Sequence, residues 1–354
     1  MINLLERENY LATVRRINPR WIPMRLVISG ASRKELGAEI EEVMARHPLL
    51  FPNFTQGQVD WASYVFNTNY SKEGTFTDNW GVVWKAEIDG LAGLVLKPPL
   101  EDWATLDSWR PPDPLGLADS GPADWEARRR DAEATRAREE VVVGGVPHGF
   151  MLMRLWYLRG FENLMMDLAT DDPHLPQLID MLVEHNLALV NQWLQIGVDE
   201  MDFPEDLGTQ DRSIISPRLF HKYVTPAYSR VVAPIKQAGV LVHQHSDGYV
   251  MELIDDFVES GRDIINLQDL CNGIQNIKEH LKGRVCIDLD IDRQKIVPFG
   301  TREEIRALIE EEVRELGSPQ GGLTLICGIY PPTPPENVEA LCEALEEFYR
   351  YWWE

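Results

Sequence analysis

Short apolar runs and longer amphipathic stretches alternate through the second half of the chain. Strands are expected at 141–145, 198–203, 240–245, 263–267, 284–289 and 322–327, where β-branched and apolar residues run together for four to seven positions. Between and after them, helical spacing predicts helices at 173–196, 217–238, 249–260, 274–281, 301–316 and 335–351. This βα alternation points to a parallel sheet. With this many units and no Gly-x-Gly-x-x-Gly turn, an α/β fold of the closed (β/α)8 TIM barrel type is favoured over an open dinucleotide-binding sheet.

The first half is less regular. Residues 1–60 read as an N-terminal helical extension, with a helix over 32–46 announced by the Ser32/Glu35 spacing of a capping box. Residues 60–100 hold short runs, 65–68 and 76–84 among them, broken by Gly74 and Gly81, and predict a short β-rich insertion. There Asp78 beside Trp80 is either a substrate contact or a turn aspartate next to a packing tryptophan. Residues 107–124, dense in Pro, Asp and Gly, read as a surface connection, and 123–140 as a polar helix whose Arg128–Arg130 run belongs to a solvated face. The expected organisation is one barrel domain over 1–354.

The formal net charge of −23 argues against nucleic-acid binding, which needs a basic face. No apolar run approaches the roughly 20 residues of a bilayer span, and no secretory signal opens the chain, so a cytoplasmic enzyme is expected. Four cysteines without a Cys-x-x-Cys pair fit neither a disulfide framework nor a zinc ribbon.

A barrel keeps its chemistry in the loops after its strands. Three such places carry ligand-type side chains: Glu205, Asp206 and Gln210 after 198–203; His243, His245 and Asp247 at the end of 240–245; and Cys327 closing 322–327. Residues two apart on a strand share a face, so His243, His245 and Asp247 can converge. Imidazole, thiolate and carboxylate together suit a tetrahedral Zn²⁺ that polarises a bound ether or hydroxyl oxygen. A buried apolar cysteine or a core histidine is the plainer reading of each residue alone.

At 78–84, 206–210, Ser216 and Pro217, 245–248, 327–329, Pro334, Glu336 and Asn337 the sequence resembles the uroporphyrinogen decarboxylase superfamily, and its cobalamin-dependent methyltransferase branch in particular. The resemblance implies a (β/α)8 barrel and a zinc site built from a His-x-Cys pair and a late Cys-Gly-Ile turn. His245 and Cys327 match that pattern, while Asp247 stands where the family has cysteine. The third ligand is then Asp247, Glu205 or Asp206, and His243 is a fourth candidate or a group supporting the ligands. Asp206 and His243 are the candidate catalytic groups; Asp78, Trp80, Trp84 and Gln210 are the candidate substrate contacts. The implied activity moves a methyl group from a small methylated substrate, an aromatic methyl ether in the simplest case, to the cobalt of a corrinoid carried by a partner protein. Two alternatives stand beside it: a metal-free decarboxylase of uroporphyrinogen type, to which Arg15, Arg16, Arg20 and Arg25 would be relevant, and a non-catalytic barrel that serves as a binding subunit. The aromatic C-terminus, Tyr349, Tyr351, Trp352 and Trp353, either forms a contact in a homodimer or packs on the barrel.

Overall fold

The computed structural model describes residues 2–66, 71–91 and 93–353. Backbone packing divides the chain into two compact units, Met1–Val65 with Ile264–Glu354, and Phe66–Asp263. The strands in chain order are β1 (Met24–Ile28), β2 (Phe76–Thr77), β3 (Val83–Lys85), β4 (Leu94–Lys97), β5 (Leu117–Ala118), β6 (Gly121–Pro122), β7 (Val143–Gly145), β8 (Glu200–Pro204), β9 (Leu241–Ser246), β10 (Ile264–Gln268), β11 (Cys286–Asp290) and β12 (Leu323–Ile329). The helices used below are α1 (Gly30–Leu36), α2 (Ala38–Arg46), α3 (Trp125–Ala137), α4 (Leu152–Arg159), α5 (Phe161–Thr170), α6 (Leu175–Ile196), α7 (Pro217–Gln237) and α8 (Arg302–Leu316).

In the first unit β1 pairs with β12, β12 with β11 and β11 with β10, all in parallel. In the second unit β7 pairs with β8 and β8 with β9, again in parallel. Helices follow the strands, as in a (β/α)8 barrel. β10 and β11 are buried at every position, with Ile265, Leu267, Ile287 and Leu289 on one side and Asn266, Gln268, Asp288 and Asp290 on the other. The expected strands and helices of the second half appear with ends shifted by a few residues. The segment expected as a helix at 249–260 is a 3₁₀ turn, Met251–Leu253, running into a helix, Ile254–Glu259.

The N-terminal stretch differs from its helical reading. Met24, Leu26 and Ile28 are buried and Arg25 and Val27 exposed, a period of two, and β1 lies in register with β12 from Met24 opposite Leu325 to Ile28 opposite Ile329. The helix expected at 32–46 is two helices. Ser29, not Ser32, caps the first by accepting from the Ser32 amide at 3.1 Å, and the Ser32 hydroxyl instead donates to the Ile329 carbonyl. Gly37, at φ +55°, breaks α1 from α2.

The insertion is β-rich as expected: β2, β3 and β4 form an antiparallel sheet and β5–β6 a small hairpin. Part of the run expected at 65–68 lies outside the described residues. Of the C-terminal aromatics, Trp352 donates from its indole nitrogen to the Val313 carbonyl at 3.2 Å, on α8.

Helix α8 also buries a carboxyl. Glu312 is fully enclosed beside Asp269, and burial, reinforced by Asp269, raises its pKa well above the ordinary glutamate range. A carboxyl raised in the folded state weakens the fold as pH climbs above its unfolded value, because the unfolded chain then releases the proton first. Glu312→Gln, which keeps a donor for Asp269, is therefore expected to raise the thermal midpoint by about 2 °C or more near pH 8. That difference should shrink toward about pH 4, where the wild-type carboxyl is protonated in both states. Thermal scans of both proteins across this range check it, and a lowered midpoint for the variant at pH 8 would contradict it.

Candidate functional site

In the second unit the segments after β7, β8 and β9 lie side by side. Backbone hydrogen bonds hold them: Gly149 N–H donates to the Pro204 carbonyl at 2.8 Å, Glu205 N–H to the His245 carbonyl at 3.1 Å, and Gly208 N–H to the Asp247 carbonyl at 3.2 Å. Gly208 and Gly248 let two of these loops touch backbone to backbone. A Cβ on Gly248 would stand 2.3 Å from the Gly208 oxygen, and Gly248 itself has φ +79°.

Glu205 points away from these loops' polar rim. Its carboxylate is fully buried, accepts from the Met151 and Met153 amides at 3.0 and 2.7 Å, and accepts the Tyr228 hydroxyl. It thus satisfies the open amides of the first turn of α4. Burial raises its pKa against the effect of these donors.

Asp206 is the centre of the rim. Its Oδ2 lies 3.4 Å from His148 Nε2 and its Oδ1 3.4 Å from His245 Nε2, and Oδ1 also accepts from the Asp247 amide at 3.2 Å. Burial alone would raise the Asp206 carboxyl; hydrogen bonds and positive charge from the two imidazoles outweigh it and hold the carboxyl far below the usual range. Asp247 Oδ1 stands 3.7 Å from His245 Nε2. Among the described residues, His148, Asp206 and His245 form a group whose ligand atoms all lie within 4.8 Å of one another. Ligands about 2.0–2.2 Å from a tetrahedral metal stand about 3.4 Å apart, and each imidazole nitrogen stands at that distance from one of the two Asp206 oxygens. Two imidazoles and a carboxylate also suit a divalent transition metal chemically.

The remaining sequence candidates are not members of this group. His243 is buried with Nδ1 2.7 Å from Asp202 Oδ1 on the facing strand. Gln210 is exposed on its loop. Cys327 belongs to the first unit, where its fully buried Sγ lies 3.8 Å from the Ile291 carbonyl. Burial, with Asp290 nearby, raises this thiol well above its ordinary pKa, so it is a protonated side chain as it stands. His148 is absent from the sequence candidates, although it follows β7 by three positions and the strand-end rule pointed there.

His148 and Asp206 also line a cavity of about 360 Å³ within the second unit. Its walls are aromatic: Trp84 and Tyr157 meet edge to face at 4.7 Å, with Trp156, Phe76 and Met153 around them. Asp78 fixes this wall, accepting from the Trp84 indole at 2.8 Å and from the Trp80 and Val82 amides at 2.9 and 2.8 Å. Trp80 is buried behind it, with the Arg154 guanidinium 4.5 Å from its ring centre. Arg154 in turn donates to Asp119 at 2.9 Å.

Comparison with known proteins places this site in context. The family described as Uroporphyrinogen decarboxylase (URO-D) matches residues 87–348. The methylcobamide:CoM methyltransferase MtaA of Methanosarcina barkeri is 24% identical over 176 residues, 49% of this chain and 49% of that protein. A uroporphyrinogen decarboxylase of Synechococcus sp. (strain CC9605) is 25% identical over 177 residues, 48% of this chain and 47% of that protein. The chain thus matches these curated relatives over about half their length. Among solved structures, a methyltransferase from Methanosarcina mazei has the same fold, with a TM-score of 0.64 at 17% identity, covering 99% of this chain and 100% of that one. No helix among the described residues is long and apolar enough to cross a membrane.

Proposed function

We propose, from the premise that this chain belongs to the uroporphyrinogen decarboxylase family, that it is a metal-dependent methyltransferase acting between a small methylated substrate and the cobalt of a corrinoid protein. The observation that carries this reading is the His148, Asp206 and His245 group at the edge of an aromatic cavity. Zinc is the metal these three residues suit first. Bound there, it supplies Lewis acidity toward an ether or hydroxyl oxygen, easing departure of that oxygen from its methyl group.

The chain's own groups do the rest. Trp84 and Tyr157 offer flat apolar faces that orient an aromatic methyl ether, and Asp78 holds Trp84 in place through its indole N–H. Asp206 carries the negative charge that keeps His148 and His245 directed to one point. His243, bound to Asp202 one strand inward, braces the strand that bears His245.

The cavity's charge separates this reading from decarboxylation of a tetrapyrrole. A substrate with many carboxylates calls for several arginines. Among the described lining residues Arg154 stands against Asp78, Asp119 and Asp206, and it is already paired with Asp119.

Metal analysis of the purified protein, followed by assay of methyl transfer from a panel of methoxylated aromatic compounds to cob(I)alamin, tests the proposal. About one divalent metal per chain and methylcobalamin formation with a subset of donors are expected. Protein without stoichiometric metal and inactive with every donor would refute it.

A further inference from the structure

A second cavity in the same unit, also about 360 Å³, adjoins the first through Asp119 and Ser120, which line both. Its walls are mostly apolar, with Leu117, Leu189 and Trp193 prominent, and two of its polar side chains are incompletely paired. Arg128 is half-buried, its guanidinium 4.3 Å from the ring centre of Trp125 and 5.4 Å from that of Trp193. Among the described residues no carboxylate pairs with it. Asp124, the nearest acid acting on it, accepts from the Ala127 amide at 2.8 Å as the cap of α3. Burial lowers the Arg128 pKa, the mark of a cation removed from water without full compensation.

His185 is the other. It is 8% exposed, its ring lies 4.5 Å from that of Trp80, and its Nδ1 has no hydrogen-bond partner. Burial, and then the charge of Arg154, lowers its pKa to about 4, so the imidazole is neutral at physiological pH. A half-buried guanidinium with aromatic but no anionic partner, beside an apolar hollow, is only partly compensated without a ligand. Asp119 does not compensate Arg128, because it accepts from Trp80 at 2.7 Å and from Arg154 at 2.9 Å.

We propose that this cavity is a second small-molecule site, for an organic anion with an apolar body. Arg128 takes the carboxylate, Trp193, Leu189 and Leu117 take the body, and the neutral His185 ring completes the wall. A guanidinium stacked on tryptophan is held in place for such a group, which lowers the entropy cost of binding. This site does not depend on the methyl-transfer reading.

The test is calorimetric titration of the full chain with benzoate, and with benzyl alcohol as its uncharged counterpart. One saturable benzoate site is expected, with benzyl alcohol at least about tenfold weaker. Arg128→Gln should weaken benzoate at least about tenfold, and Ala123→Trp, which fills the cavity from its half-buried edge, should abolish binding. His148→Ala, in the first cavity, should leave the affinity within about twofold. No saturable binding up to about 10 mM, undiminished binding in both Arg128→Gln and Ala123→Trp, or loss of binding in His148→Ala would each overturn the proposal.

Discussion

His245→Ala is expected to leave the protein folded while lowering its metal affinity and its methyl-transfer rate by about 100-fold or more. The reasoning starts from the geometry. His245 and His148 each stand 3.4 Å from a different oxygen of Asp206, so removal of one imidazole leaves a carboxylate and a single nitrogen where three ligands converged. Two protein ligands do not hold zinc against chelators as three do. The side chain is partly exposed, with 22% of its surface accessible, so the truncation opens no core cavity and the thermal midpoint should change little. His148→Ala should behave alike, which is the sharper check, because the two histidines sit on different loops, after β7 and after β9, and meet at Asp206. Metal content after dialysis against a chelator, measured with circular dichroism on the same samples, decides it. Wild-type metal retention in both variants would place the metal elsewhere.

Gly248→Ala is expected to cost about 3–5 kcal/mol of stability and to remove metal binding with it. Two penalties coincide at this residue. The left-handed φ of +79° alone costs an L-residue about 1–2 kcal/mol. The new methyl would also stand 2.3 Å from the Gly208 oxygen and 2.4 Å from its carbonyl carbon, backbone atoms that cannot swing aside as a side chain could. Relief would require separating the two loops that carry Asp206 and Asp247, and breaking the Tyr249 N–H to Thr209 carbonyl hydrogen bond of 2.7 Å. Gly283→Ala is the matched control, with φ +84° and nothing within 4 Å of its Cβ position. Urea denaturation of the two variants separates strain from collision. Equal losses in both would mean that the loops move apart without penalty.

The alternation of strand and helix was legible because each element of the second half keeps one period long enough to read. β1 was not, since five residues alternating beside the helical pattern of the first 50 carry little signal, and only pairing with β12 makes the strand evident. His245 and Asp206 stand out by their position just past apolar strands. His148 follows a three-residue strand containing Gly144 and Gly145, too short and too poor in side chains to mark its own end. Glu205 illustrates the opposite difficulty. Its neighbour Asp206 has the same chemistry and the same place in the sequence, yet one carboxylate turns to the amides of α4 and the other to two histidines. The stretch that becomes α4, Leu152–Arg159, is apolar on nearly every side, so the donors waiting for Glu205 could not be anticipated from periodicity.

The register of β1 with β12, Met24 opposite Leu325, bears on how the chain is made. One unit is drawn from both ends of this sequence, while the other, Phe66–Asp263, is continuous. During synthesis the continuous unit can close its contacts as soon as it leaves the ribosome, whereas β1 waits for its β12 partner until residues 323–329 have been translated. The histidines and the aspartate of the proposed metal group all lie in the early-closing unit, so nascent chains stalled shortly after residue 263 already carry that set of ligands.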